Sequence, residues 1–108
     1  MTIQVNTDNH IDGSERMNEY VSERIEDGLK HYVDKITRVE VHVSDLNADK
    51  GGADDIQCKI EVRMSGQDPI LTESKDATEE DALNGALHKM QATLRTVVGK
   101  MQEKHPHS

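Results

Sequence analysis

The sequence predicts a two-layer α+β domain, with two helices on one face of a four-stranded sheet, in the order β-α-β-β-β-α. Three observations lead there. Four segments alternate apolar and polar residues at period two. Two others carry apolar residues at steps of three and four. The 108 residues, 33% hydrophobic and without Trp or Phe, suffice for one modest core and one domain. Strands buried on one face need one covering layer, which two amphipathic helices supply.

Residues 2–6 alternate, with Ile3 and Val5 on one face and Thr2, Gln4 and Asn6 on the other. Asn9-His10-Ile11-Asp12-Gly13 reads as a turn, and Ser14 as a helix N-cap. From Ser14 to about Tyr32 the period is helical: Met17, Val21, Ile25, Gly28 or Leu29, and Tyr32 share one face. Glu15 and Glu19 near its start, and Lys30 and His31 near its end, suit the helix dipole. Residues 36–46 are the clearest strand, with Val39, Val41 and Val43 opposed to Arg38, Glu40, His42 and Ser44.

Asn47–Asp55, with Gly51-Gly52, reads as a flexible hairpin loop. Residues 56–64 alternate again, Cys58, Ile60, Val62 and Met64 inward and Gln57, Lys59, Glu61 and Arg63 outward. Ser65–Pro69 is a tight connection to a weaker strand, Ile70–Lys75. Thr78 with Asp81 three residues on opens the last helix as a capping-box variant. Its stripe is Leu83, Ala86, Leu87, Met90, Leu94, Val97, Val98 and Met101, ending near Lys104 before Pro106. One domain over 1–104 with a disordered tail at 105–108 is expected.

Composition excludes several classes. No apolar run approaches the roughly 20 residues that cross a bilayer, so no membrane partner is expected. Met1-Thr2-Ile3-Gln4 lacks the basic and apolar regions of a signal peptide. The single Cys58 allows no internal disulfide and no Cys-based zinc cluster. A soluble, reduced, cytoplasmic domain is expected. The net charge of −8 opposes indiscriminate binding to nucleic acid. That charge is split, however. Residues 1–84 hold 9 Lys/Arg against 20 Asp/Glu, whereas residues 85–108 hold Lys89, Arg95, Lys100 and Lys104 against Glu103 alone. Cations at a helix C-terminus also suit its dipole without any ligand.

No catalytic constellation assembles. Glu40 and His42 share a strand face, but a solvated sheet face lacks the concavity and low dielectric that shift pKa values. Cys58 has buried parity and no basic group to make a thiolate. The carboxylates Asp45, Asp49, Asp54 and Asp55 lack the spacing of a calcium loop. His105-Pro106-His107 reads as a ragged terminus rather than a metal site. No cofactor, metal or catalytic residue is expected, and no enzyme. On the last helix, the small residues Gly85, Ala92, Thr96 and Gly99 form the outermost line at 100° per residue.

The order and length, together with the segment Ala82-Leu83-Asn84-Gly85-Ala86-Leu87-His88-Lys89-Met90-Gln91-Ala92-Thr93-Leu94-Arg95, resemble the ribosome hibernation-promoting factor family. That family is also known as ribosome-associated inhibitor A or sigma-54 modulation proteins. Val5–Ile11 and Ile36–Asp45 resemble a short, divergent branch of it. The resemblance implies a fold similar to double-stranded-RNA-binding domains. It implies binding in the channel of the small ribosomal subunit where messenger and transfer RNAs lie, under stress, with translation blocked by occupancy. Long members add a C-terminal domain that dimerises ribosomes, and this chain resembles the short ones.

Carried over by position, the family's basic residues on the first helix fall at Asn18, Arg24, Asp27 and Lys30. Only Arg24 and Lys30 are basic here. On the last helix Lys89 and Arg95 match, while Ala92 and Thr96 replace cations, and Thr78-Glu79-Glu80 replaces the usual Asp-Met-Tyr opening. The RNA-binding set expected is therefore Lys89, Arg95, Lys100, Lys104, Arg24 and Lys30, contacting phosphate and reading RNA shape. The partners expected are the small ribosomal subunit and rRNA, with basic ribosomal proteins against the acidic surface. The alternative is a protein-interaction module on the same fold that has lost tight RNA binding. A mainly monomeric state, with at most a weak dimer, is expected because nothing apolar is expected on the solvated sheet face.

Overall fold

A computed structural model of the chain describes residues 1–8, 14–46 and 56–103. The turn Asn9–Gly13, the loop Asn47–Asp55, Lys104 and the tail 105–108 lie outside the described residues, as do the side chains of Ser14, Gln102 and Glu103. The elements are β1 (Thr2–Thr7), α1 (Ser14–Gly28), a 3-10 turn (Lys30–Tyr32), β2 (Ile36–Asp45), β3 (Ile56–Met64), β4 (Ile70–Asp76) and α2 (Glu79–Glu103). The sheet order is β1-β2-β3-β4. β1 pairs parallel to β2, which needs the crossover that α1 supplies, and the other pairs are antiparallel.

Alternation decides which face is buried. Val39, Val41, Val43, Cys58, Ile60, Val62 and Met64 are all buried, and they meet two helices. α1 packs on β1, and α2 on β3 and β4. The helical stripes complete the core through Val21, Ile25, Leu29, Leu83, Leu87, Met90 and Leu94, each fully buried. The two-layer expectation holds.

Two departures have physical causes. The first helix does not run on to Tyr32. It leaves α geometry after Gly28 and tightens into the 3-10 turn, where the Tyr32 N–H donates to the Leu29 carbonyl at 2.9 Å. A Cβ on Gly28 would lie 2.7 Å from Leu87 Cδ2, so the end of α1 packs tightly on the Leu87 side chain of α2, and glycine is the residue that fits. The second departure is in β2. Ile36 and Val39 are both buried although three residues apart. The register with β3 shifts between Ile36 and Arg38. Thr37 is the extra residue, and its hydroxyl donates to the Arg63 carbonyl at 3.0 Å. Such a bulge returns both apolar residues to the core face.

Candidate functional site

α2 is the element on which the expected site rests. Thr78 starts it as the sequence predicts: its Oγ1 accepts from the Asp81 N–H at 3.1 Å, and its carbonyl accepts from the Ala82 N–H at 3.0 Å. At 1.5 Å per residue, its 25 residues run about 37 Å. Between Ala82 and Gln102 it carries Lys89, Arg95, Lys100 and no Asp or Glu, and all three cations are exposed.

The six expected cations are differently engaged. Arg24 is half-buried, and its Nη2 donates to Asn84 Oδ1 at 2.8 Å, joining α1 to α2. Beside it, Gln91 Nε2 donates to the Gly28 carbonyl at 3.0 Å. Lys30 follows two residues after Gly28 and pairs with Asp27 at 3.5 Å, both side chains well exposed. Arg95 lies one turn beyond Gln91 on the same side of α2, the side that meets α1 through Asn84 and Gln91. Lys89 points the other way, its Nζ donating to the Glu73 carbonyl of β4 at 2.8 Å. Arg95 and Lys100 make no ion pair or hydrogen bond among the described residues. Lys104 lies outside the described residues.

Acid surrounds Lys30. Glu23, Glu26 and Asp27 line a shallow groove of about 360 Å³ with Lys30, so carboxylates outnumber cations there. The side-chain oxygen of Asn18, another position where the resemblance implies a cation, is buried without a hydrogen-bond partner among the described residues.

The small-residue line is not continuous. A Cβ on Gly85 would run into Ser74 Oγ and lie 3.0 Å from Ser74 Cβ, so Gly85 packs on β4 rather than facing outward. Ala92 and Thr96 are exposed, and Gly99 faces open space.

The solvated sheet face carries a charge network that sequence spacing only half reveals. Register places Arg38 opposite Arg63 and Glu40 opposite Glu61, like facing like. Opposite charges therefore meet diagonally and along the strands. Arg63 reaches Glu40 at 3.8 Å and Glu61 at 3.1 Å, while Arg38 reaches Glu40 at 3.8 Å. Arg38 also donates to Gln4 Oε1 on β1. Glu40 is thus committed to two arginines and is no partner for His42, which lies opposite Lys59. His42 and Lys59 line an open groove of about 560 Å³ with Asn6, Ser44 and Gln57. The expectation that nothing apolar is exposed on this face fails at Leu71. It sits opposite Glu61 on β4 and is 59% exposed, because the inward positions of β4 fall to Ile70, Thr72 and Ser74.

Cys58 is fully buried, and desolvation pushes its thiol up to about 12, the condition of an inert core residue. Among the described residues no group of three or more His, Cys, Asp or Glu converges to hold a metal. No helix among them is long and apolar enough to cross a membrane.

Comparison with known proteins adds to this geometry. The sequence matches the family described as "Sigma 54 modulation protein / S30EA ribosomal protein" over residues 3–102. No curated protein is similar enough to stand as a relative. The fold is similar to the crystal structure of the Thermus thermophilus Protein Y N-terminal domain, with a TM-score of 0.70 and 18% identity, covering 90% of this chain and 99% of that one. It is also similar to a ribosomal subunit interface protein from Coxiella burnetii, with a TM-score of 0.68 and 15% identity, covering 92% and 99%. At such identities these two likenesses speak to the fold alone.

Proposed function

The chain belongs to the sigma 54 modulation protein / S30EA ribosomal protein family, and from that premise we propose that it is a translation modulator that docks on the small ribosomal subunit and blocks translation by occupancy under stress, without catalysis. The observation that carries this reading is the acid-free stretch of α2 with Lys89, Arg95 and Lys100 exposed along it. Cations so spaced suit phosphates of structured RNA, where backbone contacts supply affinity and shape supplies fit. Arg24 and Lys30 border the same helix pair, and Lys104 follows at its end. The acidic face of α1 then turns to solvent or to basic ribosomal protein, because carboxylates and phosphates repel. The neighbour from Coxiella burnetii bears the name of a ribosomal subunit interface protein, which agrees with this assignment. The cytoplasm is the compartment the reading requires.

A second reading is favoured by Glu23, Glu26 and Asp27, which put acid beside Lys30. It makes the chain a protein-interaction module that no longer holds RNA tightly. Co-sedimentation with purified small subunits across a salt series separates the two. The first reading expects the wild type to pellet. It also expects Arg95→Ala with Lys100→Ala to weaken association by about tenfold, a 1.4 kcal/mol effect. Arg38→Ala with Arg63→Ala on the sheet face is expected to matter much less. A wild type that never pellets at low salt overturns the ribosome reading and leaves the protein-interaction reading.

A further inference from the structure

We propose that β4 is a strand-pairing edge for a second copy of this chain, held closed in the monomer by Lys89. β4 ends the sheet and pairs only with β3. Strand edges with free backbone groups invite another strand, and lysine is a residue by which proteins blunt them. Here the Lys89 ammonium comes down from α2 onto the Glu73 main-chain carbonyl at 2.8 Å. It occupies a main-chain acceptor of the edge strand and puts a charge that is costly to desolvate beside the path of a partner strand. The neighbouring Thr72 is held too, its hydroxyl donating to the Ala86 carbonyl at 3.0 Å.

The sequence of β4 says which partner fits. Antiparallel pairing of two copies about a two-fold axis at Ser74 sets Glu73 of each opposite Lys75 of the other, both exposed on the solvated face. It sets the exposed Leu71 opposite Ala77, and the small Ser74 opposite itself. A register centred on Glu73 would instead set two glutamates face to face, which is destabilising. Charge thus favours the Ser74 register, the one that sets opposite charges face to face, and it is self-complementary, the requirement of a closed two-fold interface. Oppositely charged cross-strand pairs contribute roughly 0.2–1 kcal/mol each. That is too little to displace Lys89 and enough to act once it is gone.

The test is the oligomeric state by analytical ultracentrifugation, with circular dichroism confirming the fold of each variant. The wild type is expected to be monomeric. Lys89→Ala is expected to dimerise at least about tenfold more tightly than the wild type, or 1.4 kcal/mol. Adding Lys75→Glu to Lys89→Ala is expected to return the monomer, and adding Glu73→Lys to both is expected to restore the dimer. A folded Lys89→Ala variant no more associated than the wild type overturns the proposal, as does a dimer indifferent to Lys75→Glu. Neither outcome touches the ribosome reading, whose test leaves Lys89 in place.

Discussion

Arg24 on α1 and Asn84 on α2, 60 residues apart in sequence, are joined by a 2.8 Å hydrogen bond from the guanidinium to the amide oxygen. The bond spans the groove beside the helix crossing and is partly shielded from water. Hydrogen bonds to charged groups contribute about 1.5–3 kcal/mol when buried, and partial exposure lowers that. Arg24→Met is expected to cost about 1 kcal/mol, lowering Tm by roughly 4–8 °C in a domain of this size. A double-mutant cycle with Asn84→Ala checks it: coupling above about 0.5 kcal/mol is expected, and additive losses would show that the two residues act separately.

Gly28 makes a sharper test of packing. Alanine gains up to ~1 kcal/mol over glycine in a helix interior, so propensity alone predicts stabilisation. The added Cβ would lie 2.7 Å from Leu87 Cδ2 and 3.2 Å from Leu87 Cγ, and Leu87 is fully buried. Overpacking costs about 1–3 kcal/mol, and at the end of α1 it outweighs propensity. Gly28→Ala is expected to lower the urea midpoint. Leu87→Val is expected to recover part of the loss when combined with it, though destabilising alone. A midpoint that rises with Gly28→Ala would show that Leu87 yields freely.

These residues also show what the sequence could and could not reveal. Period-two alternation located β2 and β3 and named their buried residues, because burial on one face forces that pattern. The Thr78–Asp81 cap was legible because it is local. The close packing at Gly28 was not, since it depends on Leu87 arriving from the other end of the chain. The outward turn of Leu71 was hidden for a related reason: β4 is an edge strand whose inward residues are Ile70, Thr72 and Ser74, so its pattern is too weak to show which face is covered. The bulge at Thr37 shifted the parity of Ile36 without altering composition. Of the six candidate cations, sequence gave the charge but not the company. Asp27 is the i,i+3 neighbour that helix spacing offers Lys30, whereas Asn84 and the Glu73 carbonyl are spatial neighbours that no spacing rule predicts.

Cys58 links burial to pH. Its thiol is pushed up to about 12 in the folded chain, against ~8.5 for an exposed thiol. Below pH 8 both states hold the proton and the group contributes no pH dependence. Between about pH 8.5 and 12 the unfolded chain loses the proton while the folded chain keeps it, so the unfolded state binds fewer protons and stability falls as pH rises. The slope approaches about 1.4 kcal/mol per pH unit in the middle of that window, before the folded thiol itself begins to titrate. Urea melts at pH 7.5 and 10.5 are expected to show a greater loss in the wild type than in Cys58→Val, in which this group is absent. Equal losses in the two would show that Cys58 does not drive the alkaline decline.

The engagement of the cations bears on how salt affects RNA binding. Counterion release gives a log–log slope of about −0.9 per phosphate on B-form DNA and somewhat less on single strands. Were all six candidate cations free, a slope near −5 would follow. Three are held: Arg24 by Asn84, Lys30 by Asp27 and Lys89 by the Glu73 carbonyl. A cation held by a neutral acceptor keeps its charge but reaches a phosphate only by giving up that hydrogen bond, whereas one paired with a carboxylate is largely neutralised, so Lys30 is the most silenced of the three. The expected slope for small-subunit binding is therefore about −2 to −3. Asp27→Asn releases Lys30 and removes a negative charge from the same groove. It is expected to tighten binding and steepen the slope by about one unit, with no loss of fold because the pair is exposed and contributes little to stability. Pelleting across 50–300 mM salt, on the order of the usual range, reads both quantities. A slope unchanged by Asp27→Asn would place Lys30 away from the phosphates and confine the contact to the C-terminal half of α2.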